Sequence, residues 1–392
     1  MNNTIKLAVA SALLAAASNA SAGIMIPAGD WTLDIGGVVN AYYTSTRVSG
    51  DLTNSTGTKT ASNITTGLLP NYLSVSGKTR QNDLDVAFTI SINPGASTQA
   101  SGYQGAQQEN RQAFLTFGDA SWGSIKLGKD LGIYASDAIL NDMTLLGVGS
   151  AAGSLAGNTT TLGRIGTGFM YADWKSQVAY SSPNWNGFSF TAGVTQAWGG
   201  VDTSAAPGAQ LSRGGSQPAY EGKASYAWAG DFAGKVWASA ISQNVEDTGL
   251  GQDDRANAWD LGATVNVAGF GLTGYYGQGE GTGTTVLFNQ GYDALGKSRD
   301  SDDWYVQGTY TIPGVGTKLG VSYGESTLDG NSGEDLKDQQ NSMWTVGAYH
   351  PLTKHLNLVA EYSQQKLEVN NRVAADVDGK AKTVSLGAIL FF

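Results

Sequence analysis

Polar and apolar residues alternate with a period of two along most of the chain. At the C-terminus Val384, Leu386, Ala388, Leu390 and Phe392 fall on one face, with Thr383, Ser385 and Gly387 on the other. Leu356, Leu358, Ala360 and Tyr362 oppose His355, Asn357, Glu361 and Ser363. Leu84, Val86, Phe88, Ile90 and Ile92 oppose Asp83, Asp85, Thr89 and Ser91, and Trp304, Val306 and Tyr310 oppose Tyr305, Gln307, Thr309 and Thr311. Such alternation predicts β-strands with two unlike faces. A soluble sandwich shares that pattern, but here the apolar stretches run about 8 to 11 residues, the length a tilted strand needs to cross a bilayer. Trp31, Tyr42, Tyr43, Tyr72, Trp122, Trp344, Tyr349 and Phe391 crowd their ends, as interfacial girdles do. Strands in lipid must close on themselves, because every backbone N–H and C=O needs a partner.

Connections alternate in length as well. Arg80-Gln81-Asn82, Asp119-Ala120-Ser121, Ala268-Gly269, Pro313 to Gly316 and His350 to Lys354 are short. Long polar connections occupy roughly 47–70, 129–167, 198–219, 279–302, 326–341 and 368–380. Short periplasmic turns and long external loops are the rule in bacterial barrels. The expectation is an all-β, transmembrane antiparallel barrel of about sixteen strands.

Composition narrows the class further. Met1 to Ala22 reads as a secretory signal: Lys6, an apolar run from Leu7 to Ala17, then Ala20-Ser21-Ala22. The rest, 23–392, reads as one barrel domain, and no apolar run in it approaches the ~18 residues of a membrane helix. The chain carries no cysteine despite export, so closed hydrogen bonding, not disulfides, must hold it. A net charge of −10 argues against a nucleic-acid binder.

Several segments together resemble the Gram-negative general porins. Asn110 to Phe117, followed by Trp122 to Lys129, looks like that family's fourth and fifth strands. Tyr180-Ser181-Ser182-Pro183 through Phe188 is similar to its turn before strand seven, and Phe392 to its C-terminal assembly signal. The resemblance implies a trimeric diffusion channel for ions and small hydrophilic solutes. It implies no cofactor, and contact with outer-membrane lipid, lipopolysaccharide and the barrel assembly machinery. It also implies that the third loop, about Asp130 to Thr167, folds inward to constrict the pore, its acidic groups facing basic groups on the wall. Arg111 matches a wall arginine, Asp142 an acidic loop position, and Arg164 a further basic position in one alignment; in another that position falls near Asp173, with Lys175 close by. The family's loop-tip glutamate is replaced by Thr144-Leu145-Leu146-Gly147, and two basic wall positions fall on Gly37 and Tyr72.

The residues themselves add constraints. Arg111 shares parity with Ala113, Leu115 and Phe117, so a bulge must re-aim it into the lumen or it must snorkel at the rim. Asp137 is a second candidate acid on the loop. Lys126 should face the lumen by parity, and Lys129, which starts the loop, is counted with the lumen residues or merely screens the loop. Asp83, Asp85 and Glu361 would favour cations if they line the lumen unpaired. The pairs Asp253-Asp254 and Asp302-Asp303, read as external loop residues, could hold Ca²⁺ bridging lipopolysaccharide phosphates, or simply be solvated. A substrate-selective channel of the same fold is one alternative, favoured if aromatic or charged ladders line the pore. A barrel enzyme or an adhesin is another, but with two histidines and no Gly-x-Ser-x-Gly elbow there is little catalytic signal.

Overall fold

A computed structural model describes residues 23–53, 59–97, 108–155, 160–198, 217–246, 253–286 and 289–392, with backbone only for 151–155. Residues 1–22, read from the sequence as a secretory signal, lie outside the described residues. The strands in chain order are β1 (Ile24–Ala28), β2 (Trp31–Gly50), β3 (Thr60–Thr65), β4 (Tyr72–Gln81), β5 (Leu84–Pro94), β6 (Gln108–Glu109), β7 (Ala113–Asp119) and β8 (Gly123–Leu131). Within one long loop follow helix α1 (Ser136–Asn141), a 3-10 turn at Met143–Leu146, β9 (Ser150–Leu155) and β10 (Thr160–Gly163). The sheet resumes with β11 (Trp174–Ser181), β12 (Phe188–Thr195), β13 (Ala219–Trp228), β14 (Phe232–Val245), β15 (Asp254–Val267) and β16 (Phe270–Glu280). It ends with β17 (Asp300–Thr311), β18 (Lys318–Asp329), β19 (Leu336–Pro351), β20 (Leu356–Asn371) and β21 (Val377–Phe391).

Each barrel strand pairs antiparallel with its neighbour, and β2 closes the ring. Val38 lies opposite Tyr72 of β4 on one side and Phe391 of β21 on the other. β3 and β4 share one position beside β2, β6 and β7 share one beside β5, and β1 continues the position of β21 along β2, which leaves a closed barrel of sixteen strands. The last residue is stitched in: Gly37 N donates to Phe392 O at 2.7 Å and Phe392 N to Gly37 O at 3.0 Å.

The two faces obey the alternation. On β2, Asn40, Tyr42 and Thr44 are buried inside while Val39 and Tyr43 point outward and are half exposed. An outer surface of Val, Leu and Ile on nearly every strand would be untenable in water; lipid is its solvent. Neighbouring rings form a belt toward the loop end, with centroids 5.8 Å apart for Trp259–Tyr276, 5.4 Å for Trp304–Tyr323 and 5.1 Å for Trp344–Tyr362. Tyr42, Tyr349 and Phe391, expected in the girdles, instead point inward and are buried. Each has the inward parity of its strand, which outweighs the preference of a ring for the interface.

Other expectations shift by a few residues. Asp83 is not an inward strand residue but half of a two-residue hairpin turn, with φ 48° at Asn82 and 63° at Asp83. β18 pairs with β19 out to Asp329–Asp338, and β20 with β21 out to Val369–Val377, so those loops shrink to 330–335 and 372–376. The ladder uses backbone groups, so polar side chains do not end it. Asp302 and Asp303 are therefore strand residues of β17 on opposite faces, Asp303 buried inside, and cannot share one ion. Asp254 likewise opens β15.

Candidate functional site: the loop folded into the barrel

The connection 132–173 between β8 and β11 enters the lumen. Its apolar residues Ile139, Leu145, Val148, Ile165 and Phe169 pack with Val38, Tyr42, Tyr305, Tyr349, Val359 and Ile389 of the wall. The backbone polar groups of a buried loop need partners, and wall side chains supply them. Glu221 of β13 accepts from Ile133 N at 2.8 Å and Tyr134 N at 2.9 Å. Glu361 of β20 accepts from Val148 N at 2.8 Å, Gly149 N at 2.9 Å and the Tyr349 hydroxyl at 2.6 Å. Between these clamps, Gln307 accepts from Met143 N at 2.8 Å and donates to Asn141 O at 2.6 Å. Tyr305 donates to Ala138 O and Tyr42 to Leu146 O.

Asp142 and Arg164 do meet, Nε to Oδ1 at 3.8 Å, but both side chains are 0% exposed. Asp142 caps the 3-10 turn through Thr144 N at 3.1 Å. The Arg164 guanidinium donates to Met343 O at 2.9 Å, to Thr167 O and to Ser322 Oγ. Arg164 lies on the loop's return leg and ties it to β18 and β19. Arg111 is inward and buried, as a bulge requires. Ala113 pairs with Ile90 but Glu109 with Asn93, so three residues oppose two and the parity changes. Arg111 Nε bonds Glu109 at 2.6 Å, and its guanidinium lies 5.8 Å from the Trp174 ring centroid.

Lys126 faces inward and pairs with Asp130, which also accepts from Gln112 at 3.0 Å. Lys129 corrects the expectation of a lumen residue: opposite Ala113 and Ser176, it shares the outward parity of Leu127. Gly37 and Tyr72 leave their part of the wall without the two expected basic groups.

Asp137 on α1 meets a basic pair that the sequence reading passed over. Lys223 of β13 lies 3.2 Å from its Oδ2, and Lys235 of β14 contacts its Oδ1. Alternation could have flagged both, since Lys223 shares parity with Glu221 and Lys235 with Trp237 and Ser239. These lysine side chains are 25% and 31% exposed, against 4% for Asp137. The nearby carboxylates are sunk: Glu221 is 0% exposed and paired with Lys175, and Asp260 and Glu361 are buried. Asp85 meets Arg80 at 2.9 Å. The water-accessible charge beside the loop is therefore cationic. His350 Nδ1 lies 2.8 Å from Thr317 Oγ1 and His355 sits in a turn; neither makes an ion pair among the described residues.

Comparison with known proteins agrees with this architecture. The outer-membrane channel DcaP of Acinetobacter baumannii superposes with a TM-score of 0.66 at 16% identity, over 93% of this chain and 99% of that one. An anion-selective porin from Comamonas acidovorans gives 0.62 at 16% identity, over 92% and 100%. Salmonella typhi OmpF, solved with daunomycin, gives 0.60 at 17% identity, over 94% and 100%. The chain matches no curated protein. The family model of Gram-negative porins matches residues 8–370. With its closed barrel and inward loop, the chain belongs to the Gram-negative porins, outer-membrane channels for passive diffusion.

Proposed function

We propose that this porin passes small hydrophilic solutes without energy coupling and favours anions at its waist. One observation carries the preference: beside the inward loop, Lys223 and Lys235 remain open to water while the neighbouring carboxylates are spent on clamping the loop. Accessible charge sets the local potential that concentrates counter-ions. The anion selectivity named for the Comamonas porin of like fold is consistent with this reading. A substrate-selective channel is less favoured. Tyr275 and Tyr305 of the wall and Phe169 of the loop, with ring centroids 5.5 and 5.8 Å apart, are buried where loop and wall meet and offer solutes no aromatic ladder.

Reversal potential in a planar bilayer under a KCl gradient tests this. The wild type should prefer chloride. Lys223→Gln with Lys235→Gln should lower the chloride-to-potassium ratio roughly fivefold per charge, since a unit charge at 4 Å in water is worth about 1 kcal/mol. A cation-selective wild type sinks the proposal. Catalysis is no part of this reading. Removal of residues 1–22 on export and trimeric assembly belong to it; an outer-membrane protein of Vibrio cholerae of like fold has been solved in a trimer form. So does delivery of the unfolded chain to the assembly machinery through Phe392, for which deletion of Phe392 should lower the folded yield in cells.

A further inference from the structure

Residues Thr66 to Asn71 interrupt the barrel strand that β3 and β4 share, at the mid-height of the wall. Thr65 of β3 lies opposite Tyr42 and Tyr72 of β4 opposite Val38, so six residues stand against the three that β2 offers, Val39, Asn40 and Ala41. Asn40 is near the middle of the 20 residues of β2. The sequence accounts for the break. Pro70 has no N–H to give to a ladder and holds Leu69 extended. Gly67 lets two backbones meet closely, since a Cβ there would stand 2.2 Å from Gly147 O. Side chains replace the missing ladder. Asn40 N donates to Asn71 Oδ1 at 2.6 Å, Asn40 Nδ2 to Leu69 O at 2.9 Å, and Gly67 N to Asn40 Oδ1 at 2.8 Å. All six residues of the excursion are buried.

Inside the barrel the excursion meets both legs of the folded loop. Leu68 N donates to Gly147 O at 2.9 Å on the loop's way out, and Thr161 N to Gly67 O at 3.2 Å on its way back. Leu68 and Leu69 join the apolar cluster of Ile139, Leu145 and Val148. Between Leu69, Pro70, Arg111, Leu140 and Trp174 there remains a cavity of about 20 Å³, room for a single water. The loop's own clamps, Glu221, Gln307 and Glu361, stand on β13, β17 and β20. On the side of β2 to β7 it is the excursion that fills the space between loop and wall.

We propose that residues 66–71 are a second constriction of the channel, which narrows the waist from the β2 side and lowers the largest solute it admits. This role holds for a channel of either ion preference. The test deletes Leu68, Leu69 and Pro70 from the whole barrel. Thr66, Gly67 and Asn71 then stand opposite Ala41, Asn40 and Val39, three against three, and Tyr72 keeps its inward parity. Heat-modifiable migration reports folding. Single-channel conductance and the swelling of liposomes in uncharged sugars of increasing size report the waist. Conductance should rise about twofold, and sugars roughly one unit larger should enter. Unchanged conductance and an unchanged size limit in folded barrels overturn the second constriction. Greater open-channel noise with the size limit unchanged would make the segment a prop for the loop, and overturns it equally. Should the deletion variant not fold, Asn40→Ala keeps the chain length and unhooks Gly67 N and Leu69 O from the wall. Its traces should switch between the wild-type level and a higher one, and a single steady wild-type level would refute the role.

Discussion

The loop inside the barrel and the loops at its rim are held by opposite devices. Inside, Glu221 and Glu361 are shut away from water, and each gathers two successive backbone N–H groups. At the rim, Arg299 bonds Glu334 at 2.8 Å through Nε. Asn331 reaches Asp293 at 2.9 Å, and exposed Arg372 donates to Asn331 O at 3.0 Å and Glu334 O at 2.9 Å. These link the loops after β16, β18 and β20. Inside, a charge is tolerable only because it is fully bonded, so removing one partner strands the rest. At the rim, water replaces whatever is lost. The waist is thus fixed by contacts that are costly to break, and the mouth by contacts that are cheap to break.

Glu221→Ala should have the largest effect. It strands Lys175 in a buried site and leaves two N–H groups unpaired, a loss of about 3–5 kcal/mol. The temperature at which the heat-modifiable gel band shifts should fall, and single-channel traces should become noisy as the loop end frees. Glu361→Ala comes next. It leaves no buried cation, and because water can enter to serve the three donors that lose their acceptor, the loss is about 1–3 kcal/mol in all. An increase in open-channel conductance would report release of Val148 and Gly149 from the wall. Unchanged traces in both variants would show that the clamps do not position the loop.

Arg299→Gln should cost only about 1 kcal/mol, visible as faster protease cleavage within 281–299 with conductance unaltered. A change as large as that of Glu221→Ala would erase the contrast between waist and mouth. The smallest effect is that of acid. Burial works to raise the Glu334 carboxyl, but the Arg299 guanidinium and Asn331 N–H outweigh it and hold it below its ordinary value. Asp293 is held low in the same sense: burial is outweighed by the N–H groups of Lys297 and Leu295 and by Asn331. A depressed folded-state value means stabilisation that is complete above the ordinary carboxylate range and fades as pH falls through the lowered value, below about pH 4. Amide protection factors, taken relative to the intrinsic exchange rate at each pH, should fall in 281–299 and 330–335 between about pH 6 and pH 3. Constant protection would show that these carboxylates do not hold the mouth.

Strands and turns were legible because their signals are local. Ala268-Gly269 is a hairpin turn in the sequence and in the structure, with φ 49° and 86°. Arg111 shows where local reading stops: its parity pointed to lipid, and one extra residue between Glu109 and Ala113 turns it inward. Arg164 shows a different limit. The loop bounds already held both it and Asp142, but nothing local told that the two would be sealed from water together.

By itself the sequence determined a closed antiparallel barrel in a membrane. A period of two over bilayer-length segments decides which face meets lipid, and lipid leaves no backbone group unpaired. Only the tertiary structure decided which charges the water in the lumen meets. Asp137 and Lys235 are 98 residues apart in the chain, and whether a carboxylate is spent on a clamp or left to solutes depends on where the folded loop comes to rest. Parity can send a side chain inward, but its partner is chosen by closure of the whole ring.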